Sequence, residues 1–319
     1  MKASAVAHPI QGLIKYHGLK DEELRLPFHD SISVCTAPLQ THTTFEFGDF
    51  PENEVVIDGE PVAGREFERV GKVIAAVQER SGIEQNFKMH SRNNFPSNVG
   101  LGASSSGFGA LAVSACAAAG LDLDLQEMSK IARLGAGSAA RAVTGGFSRW
   151  KKGMSDVDSY SYQIASEELQ MGILIALVPA YKSTEDAHRE VQSSPYFDSR
   201  LAEMPRMLDE MELAIRQGDV GKVCQLAERD TLLLHGITMT GVGEMLLWRP
   251  ETISVIMQVR KLREENVPAF FSIDTGATVY VNTFPNRLQE VKTRLEELGI
   301  EIMECEVGGE AKVVDDHLF

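Results

Sequence analysis

The run Asn94-Phe95-Pro96-Ser97-Asn98-Val99-Gly100-Leu101-Gly102-Ala103-Ser104-Ser105-Ser106-Gly107-Phe108 carries the residue types that can cradle a phosphate. Pro96 bars helix at its position, while Gly100 and Gly102 permit positive φ and a close backbone approach. The serines lead straight into an apolar helix. A helix N-terminus has free N–H groups and a partial positive charge, so it can hold a phosphate without lysines. Serine hydroxyls add hydrogen bonds or an oxygen ligand for Mg²⁺. No Gly-Lys-Ser/Thr follows, so this is not a Walker loop. The same composition also suits a helix that merely packs behind a Gly/Ser cap.

Two charged residues stand in uncharged surroundings. Asp274 follows the apolar run Ala269, Phe270, Phe271, Ile273 and precedes Thr275-Gly276, a place for a turn residue or for a carboxylate displayed at a strand end. Arg141 lies in the small, nearly uncharged segment Gly135 to Thr144, with Ser138 three residues before it and so on the same side of a helix. A guanidinium there suits a carboxylate or phosphate bidentately, and the setting is unlike a solvated helix face. Lys15 and Tyr16 follow the apolar Leu13 and Ile14 at the start of a strand.

These residues must be positioned by a mixed α and β framework. Alternating Ser, Thr, Val and Phe predict strands over Ser31 to Ala37 and Thr41 to Phe47, and a hairpin turns at Asp58-Gly59. Phe67, Val70, Val73, Ile74 and Val77 share one face of a helix over 65–80. A strand over 87–91 and helices over 105–119 and 125–134 follow. After a buried strand over 172–178 come helices near 198–217, 219–235 and 250–265. The end reads strand, strand, helix, strand, an α+β pattern with a split βαβ arrangement. A boundary near residue 170 divides the chain into 1–170, with the phosphate loop, and 171–319.

Composition narrows the function. The 319 residues carry 46 acids against 31 bases, a net charge of −15, which argues against nucleic acid or an anionic membrane as partner. An anionic substrate must be met by local cations and backbone N–H groups. Cys35, Cys116, Cys224 and Cys305 show no metal spacing and require no oxidising compartment. The first residues lack a signal peptide's apolar core, and 171–179 is too short to span a bilayer, so a cytoplasmic protein is expected. His8, His235 and His317 read as structural or exposed.

Several stretches together resemble the mevalonate diphosphate decarboxylase family of the GHMP kinase superfamily. The loop at 94–108 is similar to the second GHMP motif, with the decarboxylases' Asn-Phe-Pro lead-in. Ile14-Lys15-Tyr16-His17-Gly18, Leu26-Pro27 and Ser31-Ile32-Ser33-Val34 resemble their N-terminal signature. Ala132 to Arg141 with Gly145-Gly146-Phe147 resembles their Gly-Ser-Gly-Ser-Ala segment, and Ser272-Ile273-Asp274-Thr275-Gly276 the third motif. The resemblance implies a ribosomal-S5-like N-terminal domain and a ferredoxin-like C-terminal domain with the site between them. It implies ATP and Mg²⁺, phosphorylation of a tertiary 3-hydroxyl, and loss of phosphate and CO₂ to leave an alkene. It also implies roles: Asp274 on the hydroxyl, Arg141 on the substrate carboxylate, and Lys182 on the transferring phosphoryl. Lys15, Tyr16, His17 and Ser138 would bind substrate. Gly100, Gly102, Ala103, Ser104, Ser105 and Ser106 would bind ATP, with Ser104 on the metal. The small phosphorylated mevalonate and ATP are the partners expected, and a homodimer is compatible with this reading.

The departures matter. The family's Lys-Tyr-Trp-Gly-Lys reads Lys15-Tyr16-His17-Gly18-Leu19, so a cation that helps hold the terminal phosphate of a 5-diphosphate has become leucine. Lys20, His188 or Arg189 could replace that charge. Around Lys182 the family's Ser-Ser and Gly-Met are missing, and Ala103 and Ala136 replace family serines. With Ala-Arg-Ala-Val-Thr-Gly-Gly-Phe-Ser at 140–148, these features resemble the archaeal and bacterial phosphomevalonate decarboxylases, which take mevalonate 5-phosphate to isopentenyl phosphate. Alternatives are the 5-diphosphate substrate, an ATP-independent mevalonate 3,5-bisphosphate decarboxylase, a mevalonate 3-kinase, which would not need Arg141, and a non-catalytic sensor of the same fold.

Overall fold

The computed structural model describes residues 1–97, 99–180 and 184–319, with no side-chain description at 184 and 185. The chain begins with β1 (Lys2–Ala7), β2 (Ile10–Ile14), a short ribbon of β3 (Leu19–Asp21) and β4 (Leu26–Pro27), then β5 (Ser31–Ala37) and β6 (Thr41–Gly48). After β7 (Glu54–Ile57) and β8 (Glu60–Pro61) come α1 (Arg65–Ser81), β9 (Asn86–Asn93), α2 (Ala103–Ala118), α3 (Leu125–Gly135) and α4 (Ala139–Thr144). The middle holds β10 (Phe147–Trp150), β11 (Ser161–Ala165), β12 (Gly172–Ala176), α5 (Thr184–Glu190), α6 (Phe197–Arg216), α7 (Val220–Met239) and α8 (Pro250–Glu264). It ends with β13 (Ala269–Ser272), β14 (Val279–Thr283), α9 (Leu288–Glu296), β15 (Ile302–Val307) and β16 (Lys312–Val314). The α+β class and the long periodic elements agree with the sequence reading. Strand β1, the β3–β4 ribbon, β10, β11, β16 and the short helix α5 carry too little periodicity to be read from sequence alone.

One sheet runs β16-β1-β6-β9-β7-β8, antiparallel except where β7 pairs parallel with β9. The other runs β11-β10-β5-β15-β12-β14-β13, with β2 also on β5. Both sheets join the two ends of the chain: β16 pairs with β1, and β15 pairs with β5 through Glu306↔Ala37 and Val307↔Thr36.

The core lies where these layers meet. In α1, Val70, Val73, Ile74 and Val77 are buried against Phe45, Phe47 and the apolar side of α2. Helix α2 is almost entirely small residues, Ala, Gly and Ser, and is buried along most of its length. Small side chains let it lie close to β1, β6 and α4, so its N-terminus is fixed by packing on several sides. A second core, containing Leu13, Ile14, Ile32, Met207, Met211 and Tyr280, joins β2 and β5 to α6 and β14.

Between α6, α7 and the end of β2 sits a buried ionic group. Asp230 on α7 is fully buried. It accepts from Arg200 Nη2 at 2.7 Å through Oδ1 and from the Lys15 backbone N–H at 2.9 Å through Oδ2, with Lys15 Nζ 3.5 Å away. Arg200 Nη2 also donates to Lys15 O at 2.9 Å. Removing one partner of a buried ion pair leaves the other uncompensated, which costs far more than the pair contributes. Asp230→Ala should therefore lower stability by about 3–5 kcal/mol in equilibrium urea unfolding. A loss below about 1 kcal/mol would mean that Arg200 and Lys15 find other partners.

Candidate active site

A cavity of about 410 Å³ opens between the N-terminus of α2, the segment after β2, the start of α4 and the turn after β13. It is the meeting point of residues drawn from the whole chain: Lys15, Tyr16, Gly102, Ser104, Arg141 and Asp274 all line it.

The phosphate-type loop behaves as its composition suggests. Gly100 has φ +90° and Gly102 φ +77°, and Gly102 caps α2. The serines divide their work. Ser105 Oγ donates to Gly102 O at 2.6 Å and accepts from Ile10 N at 3.2 Å, which clamps the helix start to β2. Ser106 is buried against Thr41 Oγ1 at 2.6 Å and is off the cavity wall, so its expected contact with phosphate gives way to a structural one. Ser104 is the exposed member of the run and faces the cavity together with Ala103.

Asp274 is seated by the backbone of β2. Gly12 N–H lies 3.1 and 3.2 Å from its two carboxylate oxygens. A methyl group at residue 12 would stand 2.9 Å from Asp274 Oδ1 and 2.7 Å from Lys15 Cγ, so any larger residue would push one of these side chains out of its place. Lys15 is buried, and its Nζ donates to Ser272 Oγ at 2.9 Å and Thr231 Oγ1 at 3.1 Å. Burial lowers the Lys15 pKa, while the carboxylates of Asp230 and Asp274 pull it back toward the charged form.

Arg141 is 2% exposed, and its Nε and Nη1 have no hydrogen-bond partner among the described residues. Its Cζ lies 5.7 Å from the centre of the Tyr16 ring. Burial pushes its pKa down to about 10, with the nearby Tyr16 and the carboxylate of Asp274 opposing that shift, so it stays cationic near neutral pH. A buried cation with open donors on a cavity wall is costly by itself and is completed by an anion. Ser138 precedes α4 and shares the wall with Arg141.

Tyr16 is wedged between Trp150, edge-on at 4.9 Å, and His188, stacked at 5.1 Å. Burial raises the Tyr16 pKa, so the phenol remains a neutral donor. His17 is bonded through Nε2 to Thr275 Oγ1 at 2.8 Å, which ties the segment after β2 to the turn carrying Asp274. His188 accepts from Gly18 N at 3.0 Å and also lines the cavity.

The cavity corrects the sequence reading of the tail site. Leu19 lies on β3 and is not among the lining residues, and neither are Lys20 and Arg189. Three cations that sequence reasoning passed over, Arg25, Arg65 and Arg69, are on the wall instead. One signal could have found two of them. Arg65 and Arg69 sit in the first turns of α1, where the helix dipole disfavours positive charge, and such a local conflict points to a function. Lys182 lies outside the described residues. Among the described residues no group of three or more His, Cys, Asp or Glu side chains could hold a metal ion. Ser104, the residue expected on Mg²⁺, lines the cavity.

Residues 7–161 match the diphosphomevalonate decarboxylase-like N-terminal domain. Over 319 residues the chain is 48% identical to a phosphomevalonate decarboxylase of Haloferax volcanii, covering 99% of this chain and 98% of that protein. Its structure is similar to the crystal structure of mevalonate diphosphate decarboxylase from Staphylococcus aureus, with a TM-score of 0.93, 27% identity and 98% of each chain covered. It is also similar to MDDEF in complex with MVAPP, AMPPCP and magnesium, with a TM-score of 0.91, 28% identity and 99% of each chain covered. With this likeness running the length of the chain in both sequence and fold, the protein belongs to the GHMP-type family that holds the phosphomevalonate and diphosphomevalonate decarboxylases.

Proposed function

We propose that the chain is an ATP-dependent carboxy-lyase that converts mevalonate 5-phosphate to isopentenyl phosphate. The observation that carries this reading is Arg141, a buried guanidinium with open donors beside a seated carboxylate. A plain kinase has no use for it, whereas a decarboxylase must fix a carboxylate in the geometry for elimination.

The steps follow from the placement of groups. Asp274 accepts the proton of the substrate's tertiary 3-hydroxyl, or orients it, as the oxygen attacks the terminal phosphorus of ATP and ADP departs. Lys15, beside Asp274, supplies positive charge as negative charge builds. Ser104 and the N-terminus of α2, on the cavity wall, would take the phosphates of the nucleotide. Mg²⁺ would be carried mainly by those phosphates with Ser104 adding one oxygen, and it supplies neutralisation of their charge. In the second step the C3–O bond breaks and phosphate leaves. The C–C bond to the carboxylate breaks with release of CO₂, and its electron pair forms the alkene. Arg141 holds that carboxylate until the bond breaks.

The 48% identity to a protein named for the monophosphate supports that substrate. The 5-diphosphate is the second reading, favoured by the substrate in the name of the similar solved structure from Staphylococcus aureus. Because Leu19 is off the cavity wall, it no longer argues against the diphosphate, and the tail charge must be judged from the arginines. The division into lobes at 1–170 and 171–319 remains part of the proposal. So does a homodimer, to be read by sedimentation. A cytoplasmic location fits four free, buried cysteines, and among the described residues no helix is long and apolar enough to cross a membrane.

The direct test is product formation from mevalonate 5-phosphate and 5-diphosphate, each with and without ATP. Alkene from the monophosphate only when ATP is present is the expected result. Alkene without nucleotide, or a 3-phosphorylated product that accumulates, would overturn it. Asp274→Asn keeps the shape of the site and removes its base, so substrate binding should persist while kcat falls at least ~10²-fold. Near wild-type turnover would remove Asp274 from the mechanism. Arg141→Lys keeps charge and loses the bidentate fork, so alkene formation should fall steeply while ATP consumption continues uncoupled or a 3-phosphorylated intermediate appears. Alkene release at the wild-type rate would show that Arg141 is not the carboxylate grip.

A further inference from the structure

Asp274 stands beyond the ladder of its own sheet. Among the described residues β13 is the last strand of that sheet, and its pairing with β14 covers 269–272, so Asp274 lies two residues past the last ladder pair. Side chains of α7 continue the support. Phe271 N–H donates to Glu228 Oε2 at 3.1 Å, and Ile273 N–H donates to Thr231 Oγ1 at 3.2 Å. His235 Nε2 then lies 3.1 Å from Asp274 O and 3.4 Å from Ile273 O. Glu228, Thr231 and His235 are spaced three and four apart and so share one face of the helix. A helix rises roughly 10 Å from 228 to 235, as an extended chain does from 271 to 274. The two elements therefore keep step, and α7 meets the strand up to Asp274.

His235 is the last rung of this series. It is 1% exposed, and the Trp248 ring packs against it with centres 5.0 Å apart. Burial, joined by the charge of Lys15, pushes its pKa down to about 3, so the imidazole is neutral near neutral pH. A carbonyl can only accept, so the one ring proton sits on Nε2. Nδ1 is then a bare acceptor with no hydrogen-bond partner among the described residues. A buried acceptor left unsatisfied is a cost that an apolar ring would avoid. What the histidine adds is the bond from Nε2. Gly276 N–H donates to the same Asp274 O at 3.1 Å, so the turn is held from two sides, while Gly12 N–H holds the carboxylate.

We propose that His235 is a positioning residue for the reaction: through its bond to the Asp274 carbonyl it fixes the angle at which the Asp274 carboxylate meets the substrate hydroxyl. This rests on the reading of Asp274 as the group that takes or orients the proton of the 3-hydroxyl. A carboxylate on a chain end past its ladder is free to shift, and a displacement of about 1 Å can cost ~10²-fold in rate. His235 is not among the residues that line the cavity, so it acts on turnover and leaves substrate and nucleotide binding alone.

The test is steady-state kinetics of the whole enzyme with mevalonate 5-phosphate and ATP on wild type, His235→Phe, His235→Gln and Asp274→Asn, and on the double variant of His235→Phe with Asp274→Asn. Folding of each is checked by its Tm. His235→Phe keeps a buried ring and removes the donor, so kcat should fall roughly 10- to 100-fold with both KM values little changed. His235→Gln carries an amide N–H to the place of Nε2 and should recover most of kcat. Because His235 acts through Asp274, His235→Phe should cost less than about threefold further once Asp274 is Asn. An unchanged kcat in His235→Phe, an equal loss in His235→Gln, a rise in KM with kcat intact, or a full additional loss in the double variant would each overturn the role. Should His235→Phe not fold, His235→Asn replaces it: its shorter amide mimics Nδ1 and falls short of the carbonyl, so Asn should lose kcat where Gln keeps it, and equal rates in the two would overturn the proposal. Failure of the functional reading shows itself separately: no alkene from wild type, or near wild-type turnover in Asp274→Asn alone, rejects that reading and this proposal with it.

Discussion

The carboxylate of Asp230 is the interaction on which the site depends. It receives the backbone N–H of Lys15 and a guanidinium N–H of Arg200, and it stands 3.5 Å from Lys15 Nζ. Three elements are thereby fixed at one point: the end of β2, helix α6 and helix α7. Asp274 and the phosphate loop take their places from β2. Its Gly12 N–H seats Asp274, and its Ile10 N–H bonds Ser105 at the head of α2. Lys15 Nζ reaches Ser272, two residues before Asp274. A chain of mutually supporting polar contacts in a low-dielectric interior is stiffer than its members taken singly, and here it sets Asp274, Lys15 and the phosphate loop in one frame.

Against that frame of satisfied charges, Arg141 is the exception. The other buried arginines are paired, Arg133 with Asp156 and Arg200 with Asp230, as are the half-buried Arg149, with Asp30 and Glu212, and Arg263, with both oxygens of Glu228. Arg141 is buried more fully than Arg149 or Arg263 yet has no carboxylate partner among the described residues. Solvating it with a fixed protein anion would lower the energy of the free protein and compete with the substrate. Leaving it open keeps a preorganised charge in a water-poor wall, where it acts without reorganisation at the moment of reaction. Tyr16 softens the cost by placing its ring 5.7 Å from the guanidinium while remaining a neutral phenol.

Helix α2 shows how stability and function are divided within one short run. Ser105 and Ser106 spend their hydroxyls inside the protein, on Ile10 N and Thr41 Oγ1, and so fix the pitch at which the helix enters the cavity. Ser104 is thereby free of a structural duty and open to the cavity. Three consecutive serines look equivalent in sequence. Successive residues of a helix point in directions about 100° apart, so they meet different surroundings.

Much of the architecture is written in local patterns. The apolar period of Val70, Val73, Ile74 and Val77 specified α1, and the Asp58-Gly59 turn its preceding hairpin, because both depend only on neighbours along the chain. Asp274 and Arg141 stood out because charge in an apolar or small-residue setting is conspicuous by itself. The tail site was not legible in this way. Leu19 occupies the position where a cation was expected, but whether that position faces the cavity depends on how the β3–β4 ribbon lies against α3. Arg25 gains its place by bonding a carbonyl more than one hundred residues away, and Arg69 by bonding the next one. Sequence periodicity settles which face of an element is apolar. Which polar groups from distant elements share one cavity is decided only when those faces pack.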